Sequence, residues 1–195
     1  MGKYLNGVKD FYAGIAKAAA EQEDPRKRGI LMNYLQHAAL EYTDRWEEIF
    51  VPERTIDDPV YKVRWGTPEE VVYDGIGSVK DFYRALKNGM LLSNQNQLLA
   101  VADWGFSSFL EIVLYMDAEK AKAAGHDATD PEAQYALITP CAMYWTYDDR
   151  VRLIGEYVYE IGAGRFEKVM PEDRVTFEDL QAVVAPYLPP LERAQ

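Results

Sequence analysis

At 195 residues, with 48% hydrophobic residues and a formal net charge of −11, the chain is long enough to bury a core without disulfides or metals. It is too acidic to offer the cationic face that nucleic acid or an anionic membrane surface requires. The single cysteine, Cys141, excludes an internal disulfide and argues against a Cys-based zinc site. No apolar run approaches the roughly 18 residues of a membrane span. The N-terminal stretch MGKYLNGVKDFYAG has no charged region followed by an apolar block. The sequence therefore predicts no signal peptide and a cytoplasmic, reducing location. Tyr is abundant, with 14 copies, and a ring that packs while its hydroxyl seeks a partner suits the lining of an apolar ligand pocket.

Residues 3–22 read as a helix, with Tyr4, Val8, Phe11, Tyr12, Ile15 and Ala19 at three- and four-residue steps. Residues 29–50 carry a second helical stripe of Leu31, Leu35, Ala38, Tyr42, Trp46 and Ile49, flanked by Tyr34. His37, Glu41, Asp44 and Glu48 fall on another face, where His37 reads as a solvated surface group. Residues 55–65 and 69–73 read as short strands. Ser78, with Asp81 three residues on, predicts the N-cap of a helix over 79–87 that Asn88-Gly89 ends. From Met90 the period becomes extended, and 91–104, 106–117, 134–147 and 151–161 read as four long strands. Between the second and third, residues 118–132 form a polar, Ala-rich insertion, in which His126 reads as a solvated loop residue. Residues 162–195 read as a tail, with a short helix capped by Thr176 and three later prolines in extended chain. This order predicts an α+β fold: a cone-shaped, curved antiparallel or mixed sheet with helices on the concave side and a pocket inside.

The residues and their order resemble the nuclear transport factor 2-like superfamily, in particular its SnoaL-like branch. The resemblance covers residues 29–161, with 1–28 as a helical extension. It is carried by Trp46-Glu47, Thr55-Ile56-Asp57-Asp58-Pro59, Tyr73-Asp74-Gly75 leading to Phe82-Tyr83, Asp103-Trp104-Gly105, and the run from Leu153 to Glu160. Within this superfamily ketosteroid isomerase places a general base Asp just before a Pro at the start of the corresponding strand, and an oxyanion-holding Tyr on the first cone helix. The resemblance therefore implies Asp58 as base and Tyr34 as hydrogen-bond donor to an enolate. On that reading Asp58→Asn abolishes turnover. The isomerase's second acid has no counterpart here, where Ala142 and Met143 stand, with Tyr144 as a substitute donor. The resemblance also implies the convex sheet face as an oligomer surface, in a homodimer or homotrimer.

Other candidates come from the residues themselves. Alternation places Glu111 with Phe109 and Val113, and Glu156 with Ile154 and Val158, so either carboxyl would have its pKa raised if enclosed among apolar groups. Asn94 and Asn96, Asp103 with Trp104, and Tyr42, Trp46 and Tyr144 are candidate substrate contacts. The chain has no His-Glu-x-x-His, Cys-x-x-Cys, Gly-x-Gly-x-x-Gly, P-loop or Gly-x-Ser-x-Gly. The sequence thus points to no cofactor and no metal, and to a small apolar or aromatic substrate handled by acid–base chemistry, as in aromatic-compound catabolism. The readings left open are a lyase (dehydratase or small-aldehyde-releasing), a ketosteroid-type isomerase or cyclase, and a non-catalytic binding or assembly module. Carboxylates and Tyr hydroxyls converging on an open cavity favour the enzyme; a cavity plugged by Trp46, Trp104 and Trp145 favours the module.

Overall fold

A computed structural model describes residues 2–87 and 89–190. Helices α1 (Lys3–Glu21) and α2 (Pro25–Leu40) come first. The Asp24 side chain accepts from the Arg26 and Lys27 backbone amides and Pro25 takes the first helical turn, so α2 starts four residues before the Gly29 expected from periodicity. It also ends earlier. The Tyr42 and Thr43 amides bond back only three residues, to Ala39 and Leu40, and Thr43 Oγ1 donates to the Leu40 carbonyl. The chain then makes a separate 3₁₀ turn, Trp46–Phe50.

Strands β1 (Thr55–Arg64) and β2 (Val71–Asp74) lead into α3 (Gly75–Lys87). Gly75, at φ +80°, turns the chain straight from strand to helix, so Ser78 is not the N-cap expected and Asp81 pairs instead with Arg84. Asn88 lies outside the described residues. Then follow β3 (Leu91–Ala102), β4 (Gly105–Asp117), a short α4 (Ala118–Ala123), β5 (Gln134–Tyr147), β6 (Leu153–Glu160), β7 (Arg165–Lys168) and α5 (Phe177–Val184). The four long strands stand where alternation placed them. β7 was not expected: Arg-Phe-Glu-Lys shows no clear alternation, and it pairs only with the first part of β5. Thr176 caps α5 as read from sequence, and Asp179 completes a capping box with it. Beyond α5 the chain closes a 3₁₀ turn at Ala185–Tyr187 rather than running extended throughout; residues 191–195 lie outside the described residues.

The sheet order is β2-β1-β6-β5-β4-β3, with β7 beside β6 on the same edge of β5. Among the described residues only β1–β6 is parallel. One face of this mixed, unclosed sheet is packed on α1, α2 and α3. A single core joins Tyr4, Phe11 and Ile15 of α1, Tyr34 and Ala38 of α2, and Tyr61, Phe106, Leu110, Trp145 and Val158 of the sheet. So α1 belongs to the same core as the cone. Burying each of its Val8, Phe11 and Ile15 side chains contributes roughly 1.5–3 kcal/mol. The 118–132 insertion brings a small core of its own, Met116, Ala118, Ala121, Ala128 and Tyr135. His126 there is half-buried, its ring stacked on Phe166 at 4.4 Å. The opposite sheet face exposes Leu98, Phe109 and Tyr144. No helix among the described residues is long and apolar enough to cross a membrane.

Candidate active site

The concave face gathers its polar groups around one helix face and one row of the sheet. On α2, the spacing Tyr34, His37, Ala38, Glu41 sets four residues on one side. That side is turned to the sheet because α1 covers the other, and the helix is buried over most of its girth. His37 is therefore not the solvated residue expected; it is 2% exposed. On the sheet, Glu156 of β6 lies between Tyr61 of β1 and Trp145 of β5 in register. Alternation sends all three inward, opposite Tyr144, Tyr157 and Tyr159.

This row is short of hydrogen bonds. The Tyr61 hydroxyl, the Trp145 indole N–H and Glu156 Oε2 are buried without a well-formed partner among the described residues, although the Tyr61 and Tyr83 hydroxyls lie close to each other. Each such group typically costs about 1–3 kcal/mol. Three of them side by side on one concave face mark a place built for a polar ligand rather than for stability. Facing them, His37 Nε2 lies 2.6 Å from the Tyr83 hydroxyl. That hydroxyl donates to Glu41 Oε1 at 3.0 Å. If the Tyr83 proton goes to Glu41, the Tyr83 oxygen accepts from His37, and the His37 tautomer carries its proton on Nε2. Tyr34 Oη accepts from Gln97 Nε2 at 2.7 Å, which leaves its own proton to offer.

One nitrogen of His37 and one oxygen each of Glu41 and Glu156 lie within 4.8 Å of one another. These are cation-ligand types. The His37 nitrogen lies 3.4 Å from Glu41 Oε1 and is already engaged by Tyr83. As proton-handling groups they need no rearrangement. Burial first, and then the charge of Glu41, push the Glu156 carboxyl well above the usual range of glutamic acid. Burial likewise holds Tyr34, Tyr61 and Tyr83 well above the ordinary phenol value, as un-ionised donors. The arrangement thus sets Glu156, a carboxyl whose ionisation is opposed by its burial, beside a second carboxyl, Glu41, that is half-buried and reaches the mouth. Such a pair can give and take a proton on one bound molecule.

Between them is a chamber of about 70 Å³ lined by Tyr34, Glu41, Asn94, Trp145 and Glu156 together with Trp65 and Phe82. It is continuous in lining with two larger cavities. One, of about 480 Å³, opens past Glu41, Tyr42, Tyr83, Lys87 and Phe177. The other, of about 550 Å³, opens past Trp65, Val71, Tyr73, Phe82 and His126.

Of the residues singled out from sequence, Tyr34, Asn94 and Glu156 meet at the chamber, and Tyr42 lines the cavity beside it. Trp46 stacks on Tyr83 with ring centroids 5.9 Å apart. The others lie elsewhere. Asp58 is exposed on β1 and lines none of the three cavities. Glu111 accepts from Gln95 and Asn96 at a bulge in β3. Asn96 is at φ 54° there, which breaks the alternation that paired it with Asn94. Asp103 and Trp104 form the exposed β3–β4 turn, Asp103 against Lys27. Tyr144 lies on the outer face, stacked on Tyr157. His37, Glu41, Tyr61, Tyr83 and Gln97 were not singled out as candidates. The i, i+3, i+4, i+7 spacing of Tyr34, His37, Ala38 and Glu41 was the available signal.

No protein-family model matches the chain, and no curated protein matches it at a significant level. Among solved structures, one described as a SnoaL-like polyketide cyclase from Jannaschia sp. CCS1 superposes with a TM-score of 0.50 at 13% sequence identity, over 71% of this chain and 90% of that one. At this identity the likeness is one of architecture. The chain has the cone fold of the SnoaL-like, nuclear transport factor 2-like proteins.

Proposed function

We propose that the protein is a cofactor-independent acid–base enzyme acting on an apolar hydroxy or carbonyl compound held in the cone, with elimination as its reaction. The observation that carries this reading is Glu156: a buried carboxyl whose Oε2 has no partner among the described residues and whose ionisation its burial opposes, next to Glu41 in a chamber flanked by two apolar cavities. Glu41 removes a proton from the carbon next to the substrate carbonyl. The C–H electron pair forms the new double bond, the C–O bond at the adjacent carbon breaks, and Glu156 protonates the departing oxygen, which leaves as water. The Tyr34 hydroxyl donates to the carbonyl oxygen as charge builds there. When the leaving group is a hydroxyalkyl carbon rather than hydroxide, the same two groups release a small aldehyde: the carboxylate takes the hydroxyl proton, the C–C bond breaks, and the acid protonates the enolate carbon.

An isomerase shares this reading up to the enolate, and Tyr34, positioned by Gln97, favours it as the second choice. The cavities are not plugged as a purely structural module would have them: Trp104 is on the surface, Trp46 is packed outside the chamber, and Trp145 forms one wall. We assign the exposed outer-face residues Leu98, Phe109 and Tyr144 to a contact with a second copy of the chain. The test of function is a panel of aromatic β-hydroxyketones followed by the absorbance of the conjugated enone. Glu156→Gln is expected to lower turnover by about 10²–10⁴-fold, with the circular-dichroism spectrum unchanged. Asp58→Asn, exposed and outside the cavities, is expected to turn over like the unaltered protein. A Glu156→Gln protein at full rate overturns the assignment.

A further inference from the structure

The substrate's shape can be read from how the three spaces join. The chamber at Glu41 and Glu156 is about 70 Å³, enough for the short reacting segment of a substrate but not for a ring system. The cavities on either side are about 480 and 550 Å³, each within the size range of small-molecule sites. Their walls are shared. Leu86, in the last turn of α3, lines all three spaces. Glu41 and Leu92 line the chamber and the first cavity, while Val63, Trp65 and Phe82 line the chamber and the second. The end of α3 therefore stands as a partition with an apolar space on each side and the carboxyl pair at its inner edge. Both rims also expose apolar side chains: Met90 on both, Phe177 on the first and Val71 on the second.

We infer that the substrate is two-armed: a hydroxy or carbonyl compound whose short reacting segment sits in the chamber and whose two apolar substituents occupy the two cavities, astride the last turn of α3. This rests on the acid–base reading of the same chamber and adds the substrate class to it. A compact fused ring would fill one cavity and leave its carbonyl away from Glu156. A compound with a single apolar arm would leave the other cavity to water and forfeit the burial of that arm.

The test is equilibrium binding by calorimetry at fixed pH, with 1,3-diphenylpropan-2-one as the two-armed probe and 4-phenylbutan-2-one as the one-armed probe. The first is expected to bind at least about tenfold more tightly. Two cavity-filling substitutions at exposed positions, Asp44→Trp on the first cavity and Ala85→Trp on the second, are each expected to reduce the two-armed ketone to the affinity of the one-armed one. Both should leave the melting temperature of the free protein unchanged. Equal affinities for the two ketones, binding of neither, or an effect from only one of the substitutions would overturn the inference in favour of a single-mouthed site. Because this readout is binding, it fails or succeeds separately from the Glu156→Gln turnover test.

Discussion

Glu156 shows how one side chain ties stability to chemistry. The residue is 6% exposed, and its carboxyl faces Tyr61 and Trp145, whose polar atoms are no better satisfied. Its folded-state pKa lies above that of the same group in the unfolded chain. As pH rises, the unfolded chain releases this proton first. Stability is therefore fullest below the ordinary glutamic-acid value of about 4.3, and it declines with rising pH until the folded-state value is passed. Glu156→Gln has no proton to lose, so it is expected to flatten that decline and to be no less stable than the parent above neutral pH. Urea midpoints for both proteins across the range would show this; parallel pH profiles would place the proton elsewhere. The same residue explains what the sequence could convey. Alternation along Ile154–Val158 marks Glu156 as an acid among apolar neighbours, so it is visible as a candidate. Whether its face is the concave one depends on which side the helices pack, and nothing local to the strand encodes that.

At the scale of elements, local chemistry was readable and long-range closure was not. The capping box at Thr176 and Asp179 and the limits of the long strands follow from residues within a few positions of each other. The bounds of α2 and the start of α3 were misplaced because Asp24-Pro25 and Gly75 act where periodicity is silent. From sequence His37 reads as solvated because α2 is covered on both sides, and a helix buried by two partners shows no single apolar stripe. One glycine is fixed by closure. Gly105 stands at φ +149° at the β3–β4 turn, and a methyl group there would come within 1.9 Å of the Trp145 carbonyl oxygen on β5. Gly105→Ala is expected to destabilise the fold by about 2–3 kcal/mol, through backbone strain and displacement of β5. Because Trp145 walls the chamber, affinity for a bound ketone should fall along with the denaturation midpoint. A neutral Gly105→Ala in chemical denaturation would mean that β5 can shift freely.

Across the whole molecule, the site depends on the one parallel pairing in the sheet. β6 brings Glu156 beside Tyr61 only when it docks on β1, and these strands are separated by β2 through β5 along the chain. The intervening antiparallel hairpins and the helices are local in comparison. Pairings that close long stretches of chain are slow to form, since the loop entropy must be overcome before the contacts contribute. The molecule should therefore acquire its shape before it acquires its chemistry. In refolding from urea, helical circular dichroism is expected to recover first, and the capacity to bind the two-armed ketone only with the slowest phase that completes β1–β6. Ligand capacity returning as fast as the helical signal would show instead that the chamber assembles without that closure. A freshly made chain would then pass through an interval in which it is compact but has no place for a ligand, and a binding compound would act on its maturation only at the last step.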